Sequence, residues 1–220
     1  MASRDKILKQ LKRLSFPFVF NPYTDYCTDW DTPGAPRIRE KNLASLMEAL
    51  DGRVRTIWFG RDLGYLGGRR TGIALTDEAH LQNLMQISGA LDIRRATTGP
   101  AIAERTAGTI WRILEQLEHM PFLWNIFPFH PYSEGNQSSN RSHRRQERRD
   151  CTALLEAILE WTGDCDLIAI GNDAAAGLNE AGLRCITVRH PSYGGTADFI
   201  SGMEKIYERD FSGSAQRALF

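Results

Sequence analysis

A chain of 220 residues with 42% hydrophobic content can bury one substantial core. Its 27 basic side chains balance 27 acidic ones, which excludes a global field that draws in a polyanion or a membrane surface, so any nucleic-acid affinity must be local. Cys27, Cys151, Cys165 and Cys185 form no C-x-x-C pair, which argues against a metal or iron-sulfur site and for reduced, packed thiols in a cytoplasmic protein.

In chain order, Met1 to Leu14 is basic but mixed with Asp5, and no apolar run of signal-peptide or membrane-spanning length follows it, so neither a leader nor a membrane partner is expected. Ile7, Leu8, Leu11 and Leu14 recur at helical spacing and predict an amphipathic helix laid on the core. Pro17, Pro22, Pro33 and Pro36 make Phe16 to Arg37 an irregular arm. Leu43, Leu46, Met47 and Leu50 predict a helix ending near Gly52, so residues 1–53 form an arm of one domain spanning 1–220. A strand over Val54 to Phe59 runs into a glycine-rich loop from Gly60 to Gly72, and Glu104 to His119 reads as a long helix. Next come a strand from Phe122 to Asn125, a polar loop from Tyr132 to Asn140, and a helix with Cys151, Leu154, Leu155, Ile158 and Leu159 on its apolar side. The strand Leu167 to Ile170, a short helix after Gly171, the strand Cys185 to Val188 and a helix carrying Phe199, Ile200, Met203 and Ile206 complete the pattern. Strands separated by helices imply right-handed crossovers. The expected fold is a three-layer α/β/α domain around a mostly parallel four-stranded sheet.

Three of these strands stop at a polar residue able to do chemistry: Gly60-Arg61-Asp62, Asn125, and Arg189-His190-Pro191-Ser192. In open α/β sheets ligands bind outside the carboxyl ends of the strands, so the three side chains can converge there. The loop glycines let backbone N–H groups approach an anion or a base edge, and Arg69 and Arg70 are placed to hold a phosphate. The loop lacks a Walker lysine, which weakens a nucleotide hydrolase reading. Asn125 offers a donor and an acceptor in one plane, suited to reading a base, and equally suited to a structural amide. His130 reads more readily as a loop histidine than as a ligand. His190 before a Pro-Ser turn is rigidly presented and can donate to a developing oxyanion. Five arginines, Arg141, Arg144, Arg145, Arg148 and Arg149, against the single Glu147, open a helix at the end where the macrodipole disfavours cations, which tilts them toward a polyanion.

With these residues assembled, the chain resembles the uracil-DNA glycosylase superfamily over roughly Val54 to Tyr207. His190-Pro191-Ser192 is similar to the family's second motif, H-P-S, and Gly60-Arg61-Asp62 to its first, which reads G-Q-D-P-Y-H in one branch and G-E-A-P-G in another. Thr71-Gly72-Ile73-Ala74-Leu75-Thr76, Asn140-Arg141 and the H-P-S-Y form are similar to the second branch. The resemblance implies that Asn125 reads the uracil edge, that His190 stabilises charge on uracil O2, and that Asp62 positions water and offsets the charge on the sugar. Gly60, Arg61, Gly64, Tyr65 and Leu75 complete the implied uracil cavity. Arg69, Arg70, Arg141, Arg144 and Arg145 are expected on DNA, with Ser192, Tyr193, Gly194 and Gly195 pressing beside the extruded nucleotide. Leu63 replaces the motif proline, Leu75 stands where a phenylalanine stacks on the base, and Gly64 removes the tyrosine that blocks the thymine methyl, for which Tyr65 is a substitute. Gly194 takes the place of the intercalating leucine, leaving Tyr193 as the wedge. The iron-sulfur cysteines are not matched. The expectation is a monomeric, monofunctional hydrolase without metal or cofactor, acting on uracil in single- or double-stranded DNA and releasing free uracil. The alternative is a binding module of the same fold that recognises uracil or abasic sites without turnover.

Overall fold

The structure, a computed structural model, describes residues 3–211. Helix α1 (Arg4–Arg13) opens under Ser3, whose hydroxyl accepts from the Lys6 N–H, and it buries Ile7, Leu8 and Leu11. Strand β1 (Val19–Phe20) is followed by α2 (Ala35–Leu50), which starts where Gly34 turns at φ 78°. Strand β2 (Thr56–Asp62) leads into the single turn α3 (Gly68–Thr71), a 3-10 turn over Glu78–His80 capped by Asp77, and α4 (Leu81–Ser88). Then come α5 (Arg105–Leu114), β3 (Phe122–Phe127), β4 (His130–Pro131), α6 (Arg145–Arg149) and α7 (Thr152–Thr162). β5 (Asp166–Ile170), α8 (Asn172–Glu180), β6 (Ile186–Val188) and α9 (Thr196–Tyr207) complete the described chain.

Four strands form one parallel sheet in the order β3-β2-β5-β6, flanked by helices in a three-layer α/β/α arrangement. The runs Ile57-Trp58-Phe59 and Ile168-Ala169-Ile170 are buried along their whole length, as strands covered on both faces must be. Since all four strands run the same way, their carboxyl ends share one edge of the sheet. The chain steps from β2 outward to β3 and then returns to β5 on the other side of β2, so the crevice at a topological switch point opens between β2 and β5. Register places Gly60 beside Asn125 and Phe59 beside Ala169. A separate antiparallel ribbon joins β1 to β4, with Phe20 opposite His130.

The expected irregular arm from Phe16 to Arg37 is shorter than the sequence suggests, because Pro36 lies in the first turn of α2, where its missing N–H has no helical partner to lose. The helix expected over Glu104 to His119 stops at Leu114, where the N–H groups of Gln116 and Leu117 tighten onto carbonyls three residues back. β2 and β3 both run further than expected, since Asp62 pairs with Phe127. The 3-10 turn, α4 and the β1–β4 ribbon have no counterpart among the expected elements. Residues 1–2 and 212–220 of the domain expected over 1–220 lie outside the described residues. No helix among the described residues is long and apolar enough to cross a membrane.

Candidate active site

A cavity of about 500 Å³ occupies the carboxyl-end edge, within the range of small-molecule sites. The end of β2 gives it Gly60, Arg61 and Asp62, the end of β5 gives it Gly171 and Asp173, and the turn after β6 gives it Arg189, His190 and Ser192. Leu75, Glu104 and Asn140 close the remaining sides. Asp62 and His190, more than a hundred residues apart in sequence, therefore share one wall system.

Asp62 is held from two directions, and its side chain is only 6% exposed. Arg61 Nε donates to Oδ2 at 2.6 Å, and the Arg61 guanidinium is steadied in turn by Asp173 at 2.8 Å. His143 Nδ1 donates to Oδ1. Arg148 Nη1 lies 3.4 Å from His143 Nε2, which leaves that nitrogen as the acceptor and the ring proton on Nδ1, facing Asp62. The His143 ring packs on Phe127, 5.3 Å between centroids. Sequence reading passes over both His143 and Asp173, since neither belongs to a motif and both reach Asp62 or Arg61 only through the fold.

His190 is built as a neutral donor. The Ser192 N–H donates to Nδ1 at 3.1 Å and the Ser192 hydroxyl lies 2.7 Å from the same atom, so Nδ1 is an acceptor and the proton belongs on Nε2. Burial, then the charges of Arg61 and Arg189, hold the imidazole below its ordinary pKa. Gly171, at φ 94°, packs on His190, its missing Cβ only 3.1 Å from the His190 Cβ, so a side chain there would strain the backbone and crowd the imidazole. A Cβ at Gly195 would collide with the His190 carbonyl. Between them Tyr193 (φ 52°) and Gly194 (φ 78°) turn left-handed, and Tyr193 stands 97% exposed.

Asn125 takes a different position from the one expected. The residue is 1% exposed, neither amide atom has a hydrogen-bond partner, and Oδ1 lies against Gly60, while Asn125 is not among the residues that border the cavity. Leu75 approaches so closely that its Cδ2 is 2.9 Å from the place of a Gly60 Cβ, and its own backbone is left-handed at φ 56°. Gly64 is on the wall and is packed by the Glu104 carboxylate. Tyr65 is not: its N–H donates to Asn140 Oδ1 at 3.1 Å while its ring turns to Trp30. The expectation that Tyr65 lines the base cavity is corrected accordingly.

The arginines divide. Arg69 and Arg70 do not face solvent, because the α3 turn directs both inward. Arg69 lies over Phe20, 4.2 Å from its centroid, and Arg70 pairs with Glu78 at 3.0 Å. Their expected phosphate contact is withdrawn on that ground. Arg141 grips Glu147 through two nitrogens and reaches the carbonyls of Tyr132 and Phe18, so it braces the loop. Arg144 and Arg145 are exposed. The helix-dipole argument for a polyanion also fails: α6 has five residues, Arg148 and Arg149 fall in its last turn, Glu147 accepts from the Arg144 N–H, and Glu180 receives Arg145, Arg148 and Arg149. His130 is fully buried, its nitrogens 2.9 Å from the Leu63 carbonyl and 3.2 Å from that of Gln137, and burial pushes it down to about 4. The four cysteines are unpaired with one another, and no group of three or more His, Cys, Asp or Glu gathers as a metal site among the described residues.

The fold is similar to the crystal structure of wild-type SMUG2 from Pedobacter heparinus, with a TM-score of 0.62 and 15% identity over 93% of this chain and 98% of that one. At that identity the likeness is one of fold. No protein-family model and no curated protein matches the chain.

Proposed function

We propose that this protein hydrolyses the N-glycosidic bond of uracil in DNA, releasing free uracil and leaving an abasic site. One observation carries the reading: Asp62 and a neutral His190 with its proton on Nε2 border the same cavity at the carboxyl ends of a parallel sheet. The H-P-S segment and a fold shared with SMUG2, a uracil-DNA glycosylase family member, support it.

The extruded nucleotide enters the cavity, and the C1′–N1 bond breaks with its electron pair moving onto the uracil ring and O2. The His190 Nε2–H donates to that oxygen, where preorganised donors contribute most. Neutral histidine suits this task because it is not required to lose its proton. The Asp62 carboxylate, with one lone pair on each oxygen still open beside Arg61 and His143, offsets positive charge on the sugar and receives the proton of the attacking water. The water oxygen bonds to C1′. Base extrusion costs a few kcal/mol, and the exposed Tyr193 is positioned to fill the vacated stack.

Single-turnover excision from a uracil-containing oligonucleotide tests this reading. Asp62→Asn and His190→Ala should each slow release by about 100-fold. Both variants remaining within about twofold of the parent would sink it. A second reading, recognition of uracil or abasic DNA without turnover, is favoured by the cavity wall carrying the aliphatic Leu75 in place of an aromatic ring that would stack on the base. Retention of the damaged strand with no free uracil released would select that reading.

A further inference from the structure

Glu104 stands one residue ahead of α5 and forms part of the cavity wall. Its backbone N–H donates to Asp77 Oδ2 at 2.6 Å, which fixes the residue and leaves the side chain to the cavity. Carboxyl Oε1 lies 3.0 Å from where a Gly64 Cβ would be, and Oε2 occupies the place of a Gly67 Cβ. Two glycines thus make room for one carboxyl group. Among the described residues, no hydrogen bond or ion pair reaches either of its oxygens. Burial, then the negative Asp77, holds Glu104 above the usual carboxylate range and toward its neutral form. An acid on a cavity wall with no protein partner is a group prepared for a ligand.

Its location says which part of the ligand it meets. His190 packs on Gly171 at the end of β5, whereas Glu104 packs on the Gly64–Gly67 turn that follows β2. A base seated above the β2 end has His190 on one side and Glu104 on another. A neutral carboxyl group presents a donor and an acceptor in one plane, the same pair that an amide offers. Asn125, which the sequence suggests for that task, is buried against Gly60 and is not among the residues that border the cavity.

We propose that Glu104 is a base-reading side chain, its carboxyl group pairing with the adjacent N–H and C=O of a flipped nucleobase while His190 meets the oxygen beside the glycosidic nitrogen. The class of base is a pyrimidine with a carbonyl beside its glycosidic nitrogen and an H–N–C=O edge beyond it, the pattern that uracil carries; hypoxanthine and xanthine share the edge but have no oxygen next to their glycosidic nitrogen. This assignment rests on the glycosidic reading and deepens it.

The test uses the full chain and single-stranded oligonucleotides carrying one 2′-fluoro-2′-deoxyuridine, whose glycosidic bond resists hydrolysis, or its 2-pyrimidinone counterpart, which lacks both the N–H and the distal C=O. The parent should prefer the uracil strand by about tenfold or more. Glu104→Ala should reduce the preference to within about twofold, while Glu104→Gln, with an equivalent donor and acceptor, should retain most of it. Glu104→Met, of similar volume and without either group, gives the same readout if the alanine variant fails to fold. An alanine or methionine variant that keeps the full preference, or a parent without one, overturns the assignment. Base release from hydrolysable strands, measured alongside, separates the two ideas. Preference without release leaves the Glu104 contact standing and removes the hydrolase, whereas uracil release with preference intact in Glu104→Ala does the reverse.

Discussion

Asp62 illustrates how a carboxylate becomes useful only when its neighbours fix its aim. Arg61 and His143 each occupy one of its oxygens, and Asp173 and Arg148 stand behind those two. His143 is a positioning residue in this arrangement, and its donor atom can be separated from its bulk. His143→Phe preserves a ring against Phe127 but removes the N–H, while His143→Asn places an amide donor near the position of Nδ1. A hydrogen bond to a charged group contributes about 1.5 to 3 kcal/mol, so the phenylalanine variant should lose roughly 10- to 100-fold in single-turnover rate. The asparagine variant should recover most of that loss. DNA affinity should stay constant in both, since neither change touches a solvent-facing cation. Equal rates for Phe and Asn would reduce His143 to a packing residue.

At the level of elements, the arginine-rich stretch separates into cations that hold the protein together and cations that remain available. Arg141 is spent on Glu147 and backbone carbonyls and Arg145 pairs with Glu180, whereas Arg144 stands exposed just ahead of α6. Arg144→Ala should therefore lower the slope of log affinity against log salt by about 0.9 on duplex DNA, as loss of one phosphate contact does, with the melting temperature unchanged. Arg141→Ala should lower the melting temperature instead. The opposite pattern would reverse the division. The same contrast marks what the sequence could reveal. Parallel strands were readable because Ile57-Trp58-Phe59 and Ile168-Ala169-Ile170 are continuous apolar runs, and the His190-Pro191-Ser192 turn was readable because proline restricts its neighbour. Helix α4 was also legible in principle, with Asp77 capping the 3-10 turn that leads into it and Gly89 in the left-handed position after it. What no local pattern carries is the direction a side chain takes after a one-turn helix. Arg69 and Arg70 look like surface cations in sequence, and only Phe20 and Glu78, brought in from distant segments, show why they turn inward.

Across the whole molecule, the N-terminal arm serves as the frame on which the loop after Asp62 is hung. Tyr23 donates to the Gly72 carbonyl at 2.8 Å and Asn42 to that of Thr71 at 3.0 Å, while buried Arg39 pairs with Asp31. β1 is zipped to β4, and within β4 His130 lies 2.9 Å from the carbonyl of Leu63, the residue after Asp62. His130 therefore stands at the joint between arm, ribbon and site. Burial lowers its pKa from 6.5 to about 4, so the folded protein holds it neutral where the unfolded chain would already bind a proton. The stabilisation is complete above the unfolded pKa and is lost as pH falls from 6.5 toward 4. A depression of that size corresponds to about 3 kcal/mol at most. His190, also held low, adds to the slope in the same direction. Urea unfolding across this window should show stability falling with acidification, and His130→Gln, which removes the titrating group, should flatten the curve relative to the parent even if its own stability is lower at neutral pH. Parallel curves for the two proteins would mean that His130 is already protonated in the folded state, with both nitrogens donating to the Leu63 and Gln137 carbonyls, and that charge, rather than burial, decides the joint.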